Sequence, residues 1–198
     1  QFSNVLPIIP RMDGVSRLYS LSALILPNGA LFLCDTHVNV DPTAEQIAEM
    51  TVLAAKTVRR FGLVPKAALL SHSSFGTSES ASARKMRAAL ALVRAAAPEL
   101  EVDGEMHADT ALSEALRGRM VSHSPLTGSA NLLVMPSLAA ANNGLTLLAG
   151  ATEGLLVGPL LLGVAKPVHV MVPSVTARGI VNMTALAVAQ AERVRSGS

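Results

Sequence analysis

The chain has 198 residues, half of them hydrophobic and 15% charged, which is enough apolar material for one packed core or two small lobes. Aromatic residues make up 3% with no Trp, which excludes nucleic-acid recognition by base stacking, and a formal charge of +2 spread over 16 Lys and Arg forms no basic stripe. The most apolar run, 154–165, is broken by Gly158, Pro159 and Gly163 and is too short to span a bilayer; the lone Cys34 rules out an internal disulfide and fits a reducing cytoplasm, as a buried apolar thiol.

Residues 1–13 read as an irregular lead-in. The stretch SLSALILPNGALFLCD then places two apolar runs about Asn28-Gly29, a dipeptide suited to the positive φ angles of a tight hairpin. Asp41-Pro42 offers an N-cap followed by a proline in the first helical turn, and Ile47, Met50, Ala54, Val58 and Phe61 follow at helical spacing as far as Gly62. KAALLS predicts a strand that runs into the loop SHSSFGTSES, after which Ala83, Met86, Leu90, Val93 and Ala97 form a second helical stripe closed by Pro98. The alternation repeats: ELEVD before a helix over 109–119, ANLLVM before one over 138–149, and PVHVMV before a last helix over 174–195, with 196–198 as a tail. Such alternation predicts an α/β fold with its sheet covered by helices.

The small-residue loop leaves a strand and enters a helix, where unpaired N–H groups and the positive end of the helix dipole suit an anion. Ser71, Ser73, Ser74, Gly76, Thr77 and Ser78 add hydroxyl donors and room for a phosphate or pyrophosphate; the competing reading is a turn and N-cap. It is not a Walker loop, which would end in Gly-Lys-Ser/Thr. Asp103, Glu105, His107 and Asp109 alternate, and on a strand they would gather on one face; Gly104 is expected to interrupt that strand and Asp109 to cap the next helix, so no metal site is assigned. His72, His123 and His169 lack any ligand spacing, and no Gly-x-Ser-x-Gly elbow occurs.

Taken in order, the stretches GVSRLYSLSALIL, NVDPTAEQIAE, ALLSHSSFGTSES, APELEVDGEMHADTAL, ANLLVMPSLAAANNG, VGPLLLGVAKPVH and IVNMTALAVAQA resemble the phosphate acetyltransferase family, and more closely the acetyltransferase-like C-terminal domain of bacterial hybrid NADP-dependent malic enzymes. The resemblance implies the second lobe of a two-lobed, isopropylmalate dehydrogenase-like architecture over 14–173. It also implies a C-terminal helix packing toward a first lobe or a dimer partner, in a chain expected to be a piece of a longer polypeptide. Active relatives carry a serine and an arginine after the Lys-Pro-Val-Asn motif and an aspartate beyond; Val172, Pro173 and Gly179 stand there in this chain, and they offer neither donor nor base. Phe75 stands where those enzymes carry the loop lysine. No catalytic residue is therefore assigned.

The expected role is that of a regulatory and oligomerising domain that binds acetyl-CoA or a related acyl-CoA as effector. Its partners would be the malic enzyme catalytic domain, with its NADP and divalent metal, and further copies of itself as a homodimer or higher homo-oligomer. The ligand contacts implied are Ser71, Ser73, Ser74, Gly76 and Thr77, with Asn142, Asn143, Lys166 and His169 across the cleft. An active phosphate acetyltransferase and a purely structural dimerisation module are the alternatives.

Overall fold

The computed structural model describes residues 7–169 and 177–196. The expected hairpin forms from β1 (Tyr19–Leu26) and β2 (Gly29–Cys34), with Leu26 opposite Gly29, so the two-residue turn is Pro27-Asn28. Helix α1 (Ala44–Arg60) starts later than Asp41-Pro42 suggested. Thr43 is its N-cap: the Gln46 N–H donates to the Thr43 hydroxyl (3.3 Å) and the Thr43 N–H to Gln46 Oε1 (3.1 Å). That reciprocal box satisfies two orphan donors at once, which Ala44, three residues past Asp41, has no side-chain acceptor to complete there. Asp41 instead receives the Lys85 ammonium.

Then come β3 (Lys66–Leu70), α2 (Ala81–Ala96) and β4 (Glu101–Met106). Gly104 does not interrupt the last of these. The strand runs through it with φ +148° and a shift of register against Leu69 and Leu70, because a Cβ at Gly104 would lie 2.6 Å from the Leu69 carbonyl oxygen. The helix expected over 109–119 is two, α3 (Ala108–Leu112) and α4 (Glu114–Met120), divided at Ser113. Ser113 is extended and its hydroxyl accepts from the Leu116 N–H (3.3 Å), capping α4; Asp109 therefore sits inside α3, which has His107 as its N-cap residue. The Arg117 guanidinium, 1% exposed, donates to the carbonyls of Thr110, Ala111, Leu126 and Gly128 and so fastens the following loop.

β5 (Leu132–Val134), α5 (Leu138–Ala151), β6 (Leu155–Leu162) and α6 (Ala177–Ser196) complete the order. The apolar run broken by Gly158 and Pro159 is β6, an edge strand whose ladder is with β1. Gly158 and Pro159 fall where the register slips between Leu21 and Ala23, so the missing proline N–H breaks no regular ladder. Of the strand expected at PVHVMV, His169 makes an isolated antiparallel bridge to Leu160, and 170–172 lie outside the described residues.

The sheet has the order β4-β3-β5-β2-β1-β6. β2, β3, β4 and β5 are parallel, and β1 is antiparallel to both neighbours, so the fold is the expected α/β class with a mixed sheet. One face buries Tyr19, Leu21, Phe32, Ala67, Leu69 and Val134 against Ile47, Met50, Val58, Met86 and Val93 of α1 and α2. The other buries Leu33, Ala68, Leu70 and Met106 against Ala111, Ala141 and Leu145 of α3 and α5. This alternation along each strand is what a sheet covered on both faces requires. Met183 of α6 is buried at the α1 face, whereas Ile180, Val181 and Val188 are exposed. Cys34 is fully buried, and that burial, with Asp35 beside it, pushes its thiol pKa well up and leaves it inert. No helix among the described residues is long and apolar enough to cross a membrane.

Candidate ligand-binding site at the carboxyl edge of the sheet

Four parallel strands deliver their following loops to one edge, where α/β sheets commonly bind ligands. The serine loop after β3 is there, and most of its donors have an occupant from within the chain. The Glu105 side chain, fully buried, accepts at Oε1 from the Gly76 N–H (3.0 Å), the Ser73 hydroxyl (3.2 Å) and Arg87 (3.1 Å). Its backbone carbonyl takes the Phe75 N–H (2.7 Å). Ser74, also buried, donates its N–H to Thr77 Oγ1 (3.2 Å) and accepts the His107 N–H at its hydroxyl (3.1 Å). Ser71 lies within 3.3 Å of Ser73 through the hydroxyls. Gly76 and Thr77 form the exposed rim of the loop. Phe75, at φ +50°, turns inward against the core on the α3 and α5 face, so the position of the lysine in related loops is spent on packing.

The same internal pairing uses up the alternating carboxylates. Asp103 accepts from Arg94 (2.9 Å) and Ser124 (2.6 Å), Glu105 belongs to the loop, His107 Nε2 contacts the His72 carbonyl (2.7 Å), and Asp109 Oδ1 takes the Thr110 N–H (2.6 Å). No cluster of three or more His, Cys, Asp or Glu able to hold a metal occurs among the described residues.

A second organised loop follows β2, and the local pattern did not single it out. Asp35, 1% exposed, gathers the Ser20, His37 and Val38 N–H groups at Oδ1 (3.1–3.2 Å) and the Asn39 N–H (3.0 Å) and side-chain amide (2.6 Å) at Oδ2; the Ser20 hydroxyl also donates to it. Asn142, half-buried on α5, reaches this loop through the Thr36 carbonyl (3.4 Å), whereas its neighbour Asn143 is exposed.

Lys166 and His169 stand apart. Three strands separate β3 from β6, which at the spacing of a sheet is roughly 19 Å. The exposed Lys166 lines a depression with Lys56 and Arg60 of α1, residues the sequence reading did not single out, although their i, i+4 spacing puts them on one helix face. Both His169 ring nitrogens are buried without a hydrogen-bond partner among the described residues. Val172 and Pro173 lie outside the described residues; Gly179 is in the first turn of α6.

Burial pushes the imidazoles of His37 and His169 below the ordinary value of 6.5, in His37 against the opposing pull of Asp35. The unfolded chain therefore takes up protons that the folded chain refuses as the pH falls through that value, so stability is fullest above it and declines below. The urea midpoint is expected to be lower at pH 5.5 than at pH 7.5, with a smaller difference in His37→Asn; equal midpoints in the parent chain would refute this.

Comparison with known proteins accords with the fold and its edge. Residues 1–188 match the family described as phosphate acetyl/butaryl transferase. The NADP-dependent malic enzyme of Escherichia coli is 54% identical over 192 residues, which is 96% of this chain and 25% of that protein. The phosphate acetyltransferase of Paracoccus denitrificans is 43% identical over 166 residues, covering 82% of this chain and 51% of that one. A phosphotransacetylase structure from Streptococcus pyogenes superposes with a TM-score of 0.92 at 29% identity, over 97% of this chain and 59% of that one. The chain thus spans about a quarter of the length of the malic enzyme it matches.

Proposed function

The chain belongs to the phosphate acetyl/butaryl transferase family, and from that premise we propose that it serves as the acetyltransferase-like, regulatory and oligomerising part of a cytoplasmic NADP-dependent malic enzyme, the enzyme that oxidatively decarboxylates malate to pyruvate. The observation that carries this reading is the difference in identity: 54% to a malic enzyme over nearly the whole chain against 43% to a free-standing phosphate acetyltransferase over less of it. Acetyl-CoA, a product of downstream pyruvate metabolism, is the proposed effector and inhibitor. It acts by binding one arrangement of the domains better than another, since only differential affinity shifts a distant catalytic equilibrium. The inward-packed Phe75 supports loss of transfer chemistry, because a loop with no lysine has no point charge to hold a reacting phosphate. Val172 and Pro173 supply no donor to a developing negative charge.

The proposed contacts are the exposed rim of the serine loop, Gly76 and Thr77, with Asn142 and Asn143 on the adjacent helix; Ser71, Ser73 and Ser74 shape that rim from beneath. NADP and the divalent metal belong to the malic enzyme portion of the polypeptide. Titrating acetyl-CoA into the full-length polypeptide while following malate-dependent NADPH formation is expected to give saturable inhibition. Thr77→Val and Asn142→Ala are each expected to raise the half-maximal concentration by about tenfold, the size of an ordinary allosteric coupling. Unchanged inhibition in both variants would move the effector site elsewhere, and CoA-dependent release of phosphate from acetyl phosphate would revive the transferase reading.

A further inference from the structure

The depression beside β6 has a composition that the serine loop lacks. Lys56 and Arg60 enter it from the last turns of α1, and Lys166 enters from the turn after β6; no carboxylate lines it among the described residues. None of the three cations makes an ion pair or side-chain hydrogen bond among the described residues, although the chain pairs Arg59, Lys85, Arg87 and Arg94 with carboxylates elsewhere. Cations near a helix C-terminus complement its dipole, which accounts for Arg60. It does not account for Lys166, which comes from a separate element. Nor does it offset a like-charge pair at i, i+4, which is unfavourable on a helix.

The remaining walls are apolar, from Leu53, Leu160, Leu162 and Pro167 among others, and they lower the local dielectric in which an incoming charge is felt. The rim is rigid. The Met12 N–H donates to the Gly163 carbonyl (2.8 Å), the Ala165 N–H to the Pro10 carbonyl (2.9 Å), and Arg11 bridges Val164. The cavity volume is about 110 Å³. That is well short of the roughly 300 Å³ at which pockets begin to enclose a whole small-molecule ligand. It suits one or two phosphoryl groups, with the rest of any larger ligand lying outside.

We infer that Lys56, Arg60 and Lys166 form a phosphoryl-binding site, separate from the serine loop, for inorganic pyrophosphate or the phosphate end of a nucleotide. The inference stands apart from the acetyl-CoA reading, since the site lies across the sheet from Gly76 and Thr77 and would exist whether or not malate oxidation responds to an effector.

Calorimetric titration of inorganic pyrophosphate into the full-length polypeptide at low ionic strength tests it. Wild type is expected to show a binding event that Lys56→Gln/Arg60→Gln weakens at least tenfold, whereas Arg119→Gln, which removes an exposed charge on the other side of the sheet, leaves it unchanged. Both altered side chains are exposed, and an unchanged thermal midpoint in the double variant establishes that it is folded. ADP as second ligand separates the sources: equal affinity identifies a bare phosphoryl site, and tighter ADP binding that the double variant abolishes identifies a nucleotide site. Absence of pyrophosphate binding to wild type, or equal affinity in the double variant, would overturn the inference.

Discussion

Asp35→Ala is expected to lower unfolding free energy by about 4 kcal/mol, the largest single-residue effect anticipated for this chain outside the hydrophobic core. The carboxylate is 1% exposed and is the common acceptor for four backbone N–H groups, one hydroxyl and one side-chain amide. Alanine removes every acceptor while the donors stay behind, and a stranded buried donor costs about 1–3 kcal/mol. The loss is below the full sum because His37 is exposed and Val38 half-buried, so their N–H groups can turn to water. Asp35→Asn keeps an acceptor for the Ser20 side but presents an amide to the Asn39 donors, so about half the loss is expected. Urea denaturation followed by far-UV circular dichroism measures both. A loss under about 1 kcal/mol for alanine would mean that the loop holds its shape without the carboxylate.

Arg87→Met is expected to cost about 3 kcal/mol, because it leaves Glu105 as an uncompensated charge in a site without solvent. The Glu105 side chain is fully buried, and its Oε2 has no hydrogen-bond partner among the described residues, so the Arg87 contact at Oε1 is its main electrostatic compensation. Arg87 is 29% exposed and also reaches Glu79, so the reverse truncation, Glu105→Leu, strands less charge and costs less. The two changes are not additive. Arg87→Met/Glu105→Leu should recover most of the stability lost in Arg87→Met alone, since an apolar pair of similar volume commonly replaces a buried ion pair at little cost. Equal stability of the single and double variants would refute this account of the loop.

The regular elements were legible because their signals are local. Ile47, Met50, Ala54 and Val58 announce α1 by spacing alone, and KAALLS and ANLLVM read as strands because buried parallel strands are continuously apolar. β6 was hidden because Gly158 and Pro159 signal irregularity in general, and only the pairing with β1 shows that they occupy a bulge on an edge. Ser113 was hidden for a related reason: a serine inside a helical pattern is neutral until its hydroxyl is seen capping the next turn.

The site divides in the same way. The serine loop was visible by composition, but its partner Glu105 lies 29 residues from Gly76, and no periodicity connects them. Lys56 and Arg60 were visible as a pair on one helix, but 106 residues separate Arg60 from Lys166, and only the closure of the sheet brings them to one depression. Asp35 reads as the polar end of a strand until the loop is seen wrapped around it.

β5 is three residues long and, among the described residues, is the only strand that joins the β4-β3 pair to the β2-β1-β6 group. Cohesion across that seam falls on the side chains packed over its two faces: Ile47, Met50, Ala54 and Val58 of α1 on one, and Ala141 and Leu145 of α5 with Ala111 of α3 on the other, each in a core that both halves share. The sheet is thus two rafts lashed above and below a narrow joint: loosening the lashings frees the rafts to part along Leu132–Val134 while each keeps its own pairing, which makes this seam the natural boundary of partial opening.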